Sequence, residues 1–178
     1  MKAQIVSVLT LSSALLGVCA APMATIAIPA KLNPPAGQVR YLEVAAVGVQ
    51  IYECAPKAGQ ADAYEWAFRA PEAVLRDSKE IAIGKHYAGP TWEGNDGSKA
   101  VGRVTERDPG PDASAIPWLL AEAKSSGTGI FAAAKSVQRV ATVGGVAPAK
   151  ACGAANAKEM ARVPYTATYV FFRDGTGY

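Results

Sequence analysis

The sequence predicts a mainly β protein, a single-domain antiparallel β-sandwich or small β-barrel with one or two short helices. Three observations support this prediction. Several segments alternate apolar and polar residues with the period of two that is typical of strands. Turn-forming residues recur at short intervals, and the chain has 17 glycines and 12 prolines to supply them. Few segments show the 3.6-residue period of a helix.

The first twenty residues are predicted to be a secretory signal peptide. Lys2 provides a positively charged start, an apolar run ends at Val18, and small residues around Ala20 offer a cleavage site. We therefore expect a secreted or periplasmic protein with no transmembrane segment after the signal peptide. The predicted organisation is a signal peptide at residues 1–20, an extended lead-in at residues 21–37 and one β-rich domain at residues 38–178.

The three cysteines fit an exported protein. Cys19 lies in a sequence similar to a bacterial lipoprotein box, but that box has a small residue where this chain has the β-branched Val18. We therefore expect no lipid anchor at Cys19. Cleavage leaves Cys54 and Cys152, an even number with no CxxC motif in an oxidising compartment. We predict that these two form a structural disulfide.

The first half of the domain is predicted to contain two strands. Val47–Cys54 alternates between two faces, and Tyr64–Arg69 places three aromatic residues on one face. The turn-rich segment Pro56–Ala61 connects them. Pro71–Leu75 can form one helical turn, because proline is tolerated at an early helical position.

The second half contains the better helix candidate, Ile116–Lys124. Ser114 can cap its start and Gly127 can end it. Ser136–Thr142 is ambiguous between helix and strand, and we favour a strand because two glycines close it as a loop would. Arg162–Arg173 is the clearest strand, since β-branched and aromatic residues occupy both of its faces.

The segment from His86 to Ser98 is the main candidate for a functional site, near the strand that contains Gln138 and Arg139. It combines the only histidine with an aromatic residue, acids and permissive glycines. The predicted binding residues are Trp92, Asn95, Asp96 and Arg139. The same segment also fits a structural loop, in which Asn95-Asp96-Gly97 forms a turn and Trp92 plugs the end of the sheet.

Two functional classes remain open. The first is a non-catalytic binding or cell-surface module for a glycan, a peptide or a small molecule. The alternative is a hydrolase or lyase that uses His86 as general base and Asp96 to orient it. The three tryptophans can form a sugar-stacking platform, but Trp66 and Trp118 lie in apolar patterns that are typical of a core. Only Trp92 is flanked by residues that favour exposure.

Charge and spacing exclude other classes. The formal net charge is +3 and the charges are scattered, so we expect no nucleic-acid partner. One histidine with Glu93 and Asp96 is too poor a ligand set for zinc, and we expect no metal or cofactor. Gly127–Ala132 matches the spelling of a dinucleotide loop. However, a predicted helix precedes it where a strand is required, and no acid follows before Glu159. We therefore reject an NAD-dependent dehydrogenase.

An ordered series of motifs resembles a known protein family. The motifs include Trp66-x-Phe68, His86-Tyr87-x-Gly89-Pro90-Thr91-Trp92, Asp96-Gly97-Ser98, Ile116-Pro117-Trp118-Leu119-Leu120, Gln138-Arg139 and Tyr165-Thr166-Ala167-x-Tyr169. Over residues 32–173 the chain resembles an uncharacterised family of secreted bacterial and fungal proteins, a domain of unknown function. Some fungal members carry the label malate dehydrogenase. The resemblance implies a single secreted domain, and it implies no catalytic residue.

Overall fold

Residues 27–60 and 62–175, which the computed structural model describes, form a closed antiparallel barrel of eight strands. Each strand pairs with its neighbours in chain order, and the last strand closes the barrel by pairing with the first. This confirms the predicted antiparallel β fold in its barrel form. The strands are β1 (Gln38–Pro56), β2 (Tyr64–Arg76), β3 (Ala82–Tyr87), β4 (Thr91–Gly94), β5 (Lys99–Asp108), β6 (Trp118–Ser126), β7 (Ser136–Gly144) and β8 (Met160–Asp174).

The predicted signal peptide, including Cys19, lies outside the described residues. In the part of the chain that the structure covers, no helix combines the length and the apolar character needed to cross a membrane. The lead-in contains a short 3₁₀ turn, Ala30–Leu32, which places Leu32 against the outer face of the barrel.

The period-two alternation of β8 separates an inner from an outer cluster. Tyr165, Tyr169 and Phe171 share one face, as predicted, and fill the barrel. Val170 and Phe172 point outward, yet they are also buried, because a second cluster around Leu32 covers them. The end of β8 around Val170–Phe172 is therefore buried on both faces, although only one of them lines the barrel.

The predicted helix at Ile116–Lys124 is wrong, since residues 118–126 form β6. The apolar run Trp118–Ala121 is buried on both faces. Leu119 on its inner face points into the barrel, while Trp118 and Leu120 on its outer face join the cluster around Leu32. This double burial removes the apolar–polar alternation by which a strand is recognised.

The predicted helical turn at Pro71–Leu75 is also wrong, because these residues belong to β2. Pairing between β2 and β3 begins only at Ala73, so the missing N–H of Pro71 interrupts no ladder on that side. In the described residues the helical elements are two 3₁₀ turns, Ala30–Leu32 and Ala154–Asn156.

The connection between β6 and β7 closes one end of the barrel, called here the closed end. Phe131 in this connection is fully buried, and its ring centroid lies 4.8 Å from that of Phe171. The Asp96 carboxylate accepts hydrogen bonds from the Ile130 N–H at 2.8 Å and from the Ser98 hydroxyl at 2.6 Å. The Phe131 N–H donates to the same Ser98 hydroxyl oxygen at 3.1 Å. The predicted turn around Asp96 therefore anchors this closure.

A disulfide lies near the opposite end, called here the open end. It joins Cys54, near the end of β1, to Cys152 in the connection between β7 and β8, which confirms the predicted pairing. The backbone supports this junction: the Cys54 N–H donates to the Glu159 carbonyl at 2.9 Å, and the Lys158 N–H donates to the Cys54 carbonyl at 2.7 Å. The connection is therefore held along the rim of the open end.

Candidate functional site

The open end of the barrel contains a cavity of about 440 Å³. An eight-stranded barrel is just wide enough to enclose one small ligand, and small-molecule sites typically have volumes of roughly 300–1,000 Å³. The walls come from β1, β2, β3, β5, β6 and β7 and from the connections after β3 and β5. Side chains that line it include Gln50, Tyr52, Phe68, His86, Leu119 and Arg139.

A stack of aromatic rings lies beneath the cavity. The indole of Trp92 stacks on the His86 ring with centroids 4.8 Å apart, and Tyr169 and Phe171 contact the same indole edge-on. Trp92 is only 1% exposed, so its predicted exposure is wrong. Gly102 explains the burial, because a Cβ at that position would lie 2.8 Å from Cζ3 of Trp92. The absent side chain leaves room for the indole inside the barrel.

His86 forms part of the cavity wall and is 2% exposed. Its Nδ1 lies 2.9 Å from the Thr91 carbonyl oxygen. A carbonyl can only accept, so Nδ1 carries the proton. Burial lowers the pKa of His86 to about 3, and the positive charge of Arg139 acts in the same direction. The imidazole is therefore neutral at neutral pH, and Nε2 is left as an acceptor.

Arg139 is an inward-facing cation that no described carboxylate neutralises. It lies in β7 opposite Tyr169 and is 8% exposed. Its Nε and Nη2 donate to the Pro117 carbonyl oxygen at 3.1 and 2.7 Å. Among the described residues it forms no ion pair with a carboxylate. A buried charge without a partner is costly, so this arginine leaves the cavity with uncompensated positive potential.

Further polar groups around Arg139 also lack partners. Within the described residues, Gln50 Nε2 and the hydroxyls of Tyr165 and Tyr169 are buried without a hydrogen bond. The two hydroxyls lie close to each other and to Arg139, but not in hydrogen-bonding geometry. Burial raises the pKa of both tyrosines, so both stay protonated. Buried polar groups are ordinarily paired. A cluster of unpaired donors beside a cavity is typical of a site completed by a ligand.

The rim of the cavity adds two more arginines. Arg69 pairs with Glu53 at 2.9 Å, whereas Arg107 has no ion pair within the described part of the chain. In the part of the chain that the structure describes, no acidic side chain contributes to the lining, and apolar residues such as Leu119 form much of the wall. The cavity therefore combines an apolar surface with an excess of positive charge.

The structure separates the predicted site residues. Arg139 and His86 line the cavity, but Trp92 lies beneath it. Asn95 and Asp96 lie at the closed end, beyond β4, where the Asn95 side-chain amide donates to the Ala82 carbonyl oxygen at 2.9 Å. His86 and Asp96 are therefore at opposite ends of β4 and do not form a pair.

The three tryptophans also lie apart. Trp118 packs in the outer cluster with Leu32, and the half-buried Trp66 donates from Nε1 to the Lys150 carbonyl oxygen at 2.8 Å. Trp92 is in the inner core. Gln50 is not among the site residues predicted from the sequence. In the sequence, Gln50 is only a polar residue at an alternating position of a strand. That position indicates a site residue once this face of β1 is known to point inward.

In residues 27–60 and 62–175, no three His, Cys, Asp or Glu side chains gather as a metal site requires.

Comparison with known proteins identifies the family. No curated protein and no solved structure matches the chain. One family model, described as "Protein of unknown function (DUF3455)", matches residues 35–173, from just before β1 almost to the end of β8. The chain therefore belongs to this family of proteins of unknown function.

Proposed function

We propose that this protein is a non-catalytic binding protein that takes one small, partly apolar molecule into the open end of its barrel. The observation that carries the proposal is the cavity of about 440 Å³, whose wall is largely apolar and includes a few inward-facing polar groups. This combination is the usual composition of a small-molecule site.

The shape of the cavity favours a small molecule over a peptide or a glycan. Peptides commonly bind along an exposed sheet edge, and a closed barrel has no such edge. A sugar-stacking surface needs exposed aromatic faces, but Trp92 is buried and the three tryptophans lie apart. Phe68, which is 52% exposed, is the aromatic residue at the rim. It contacts Tyr52 edge-on with ring centroids 5.8 Å apart.

The hydrolase or lyase alternative has weaker support. A general base works best when its pKa is near the working pH, whereas burial lowers the pKa of His86 to about 3. Among residues 27–60 and 62–175, no carboxylate lines the cavity to orient the imidazole, and Asp96 accepts hydrogen bonds from Ser98 and Ile130 at the closed end. We therefore assign His86 to the wall of a binding site.

Binding can be tested with N-phenyl-1-naphthylamine, a neutral dye that becomes fluorescent in apolar surroundings. Val104→Trp places a large ring in the cavity, because Val104 lines it. Val101→Trp is the matched control, since Val101 lies on the outer face of the same strand and is 45% exposed. We expect saturable binding by the unsubstituted protein and by the Val101 variant, and little by the Val104 variant. Equal binding by all three proteins, each folded by circular dichroism, would contradict the proposal.

We further propose that the protein works outside the cytoplasm, where a disulfide between Cys54 and Cys152 is stable. The disulfide in the structure and the predicted signal peptide both support this location. N-terminal sequencing of exported protein should show that residues 1–20 have been removed, and peptide mapping without reductant should recover the two cysteines as one linked pair. Retention of the protein inside the cell with both thiols free would refute the proposed location.

A further inference from the structure

We infer that the molecule bound in this cavity is an organic monocarboxylate whose carboxylate group pairs with Arg139 inside the barrel. This inference rests on the proposed small-molecule function and goes further by naming the chemical class of the ligand.

The guanidinium of Arg139 is held in place, but not all of its N–H groups donate hydrogen bonds to the carbonyl that anchors it. Nε and Nη2 donate to the Pro117 carbonyl oxygen, so one edge of the planar group is anchored. Neither bond uses Nη1, and Nη2 has a second N–H. An arginine oriented in this way presents a fixed pair of donors, which matches the two oxygens of a carboxylate better than a single neutral acceptor.

The surrounding groups favour an anion over a neutral ligand. No acidic side chain lines the cavity, and both Arg139 and Arg107 lack ion pairs within the described residues. The unpaired Nε2 of Gln50 is another donor in the lining. A bound carboxylate supplies the missing negative charge and the missing acceptors together. An alcohol or an amide supplies only acceptors, and the cost of the buried cation then remains.

The apolar walls set the shape of the rest of the ligand. Arg139 is 8% exposed, whereas Arg107 and Phe68 at the rim are exposed. Leu119 and Val104 contribute apolar wall around this space. A molecule with its charge at Arg139 therefore directs an apolar body toward the rim. A single carboxylate suits a single buried cation, whereas a phosphate ester carries more charge and more acceptor oxygens than Arg139 alone can pair.

The test compares three eight-carbon probes that differ in their head groups: octanoate, octanamide and octyl phosphate. Displacement of N-phenyl-1-naphthylamine measures the affinity of each probe. Hydrogen bonds to charged groups are strong enough to change affinity by roughly 10- to 150-fold. We therefore expect octanoate to bind at least about tenfold more tightly than octanamide, and more tightly than octyl phosphate.

Substitution of Arg139 tests whether this residue causes the preference for octanoate over octanamide. Arg139→Met should bring octanoate and octanamide to within about twofold of each other, and Arg139→Lys should keep part of the preference because it keeps the charge but loses the planar pair of donors. Arg103→Met is the matched control, since Arg103 lies on the outer face of β5 with its side chain 73% exposed and pairs with Glu122. That variant should retain the full preference.

The outcomes separate this inference from the proposed function. Equal affinity for octanoate and octanamide, or tighter binding of octyl phosphate, overturns the carboxylate assignment and leaves the binding function standing. Failure of the dye to bind, together with an unchanged melting temperature in the presence of each of the three probes, overturns both. If Arg139→Met does not fold, a second experiment takes its place. Octanoate labelled at its carboxyl group is bound to the unsubstituted protein, and the pKa of the bound carboxyl group is measured by titration. The pKa of the bound carboxyl group must then lie below that of the free acid, and an unchanged or raised pKa refutes the pairing.

Discussion

The burial of His86 makes the stability of the barrel depend on pH. The substitution His86→Gln separates this contribution from that of the other titratable groups. Burial lowers the pKa of this imidazole from 6.5 to about 3 in the folded protein. Between these two values the unfolded chain binds a proton that the folded chain excludes. Stability therefore rises with pH across this window, and it is lost as the pH falls from about 6.5 toward 3.

The size of the effect follows from the pKa difference. A pH of about 4.5 lies two pH units below the pKa of His86 in the unfolded chain. Protonation of His86 stabilises the unfolded state by about 1.4 kcal/mol for each of these pH units. His86 should therefore reduce the free energy of unfolding by about 3 kcal/mol between neutral pH and pH 4.5. His86→Gln removes the titration but keeps an amide N–H that can donate to the Thr91 carbonyl oxygen, as Nδ1 does in the structure.

Urea unfolding of both proteins at about pH 7 and pH 4.5 provides the assay. Protonation of carboxylates lowers the stability of both proteins and cancels in the comparison. We expect the unsubstituted protein to lose about 3 kcal/mol more than His86→Gln between the two pH values. An equal loss in the two proteins would show that His86 ionises in the folded state as readily as in the unfolded chain. The assignment of His86 to the dry wall of the barrel would then be refuted.

Three further predictions concern packing and closure. Replacing Cys54 and Cys152 by serine removes a crosslink between residues 98 positions apart; by loop-closure entropy this should lower the free energy of unfolding by up to about 4.7 kcal/mol, measured by urea unfolding. Gly102→Ala should destabilise by about 1–3 kcal/mol and change the fluorescence of Trp92, because the added Cβ would lie 2.8 Å from the indole; an unchanged spectrum and stability would contradict the packing described. Asp96→Ala should speed hydrogen exchange at the amide that the carboxylate holds in the connection between β6 and β7, with no change in octanoate binding at the other end.

Some elements could be predicted because their signals are local. β8 was recognised from its alternating aromatic and β-branched residues. The turn at Asn95-Asp96-Gly97 was recognised from residues that favour such turns. The disulfide followed from the count of cysteines that would remain after the predicted cleavage. None of these predictions required knowledge of which elements lie next to each other.

Other elements could not be predicted because burial depends on distant parts of the chain. The helix expected at Ile116–Lys124 is a strand, since the lead-in residue Leu32 covers an outer face that is otherwise open to solvent. Trp92 is buried because Gly102 in the next strand leaves space for it. The turn residues next to Trp92 predict that its side chain is exposed. They give no information about the space that Gly102 leaves for the indole.

The sequence alone predicts the class of fold and the strand β8, because alternation and turn chemistry act over short distances. It predicts the cysteine pair from a residue count and an exported chain from the character of its first residues. It also singled out His86 and Arg139. The tertiary structure was needed to show that Arg139 forms no ion pair among the described residues and that Asp96 supports the closed end. Whether a buried cation is paired depends on which side chains eight strands bring to the same interior, and that is settled by the closure of the barrel.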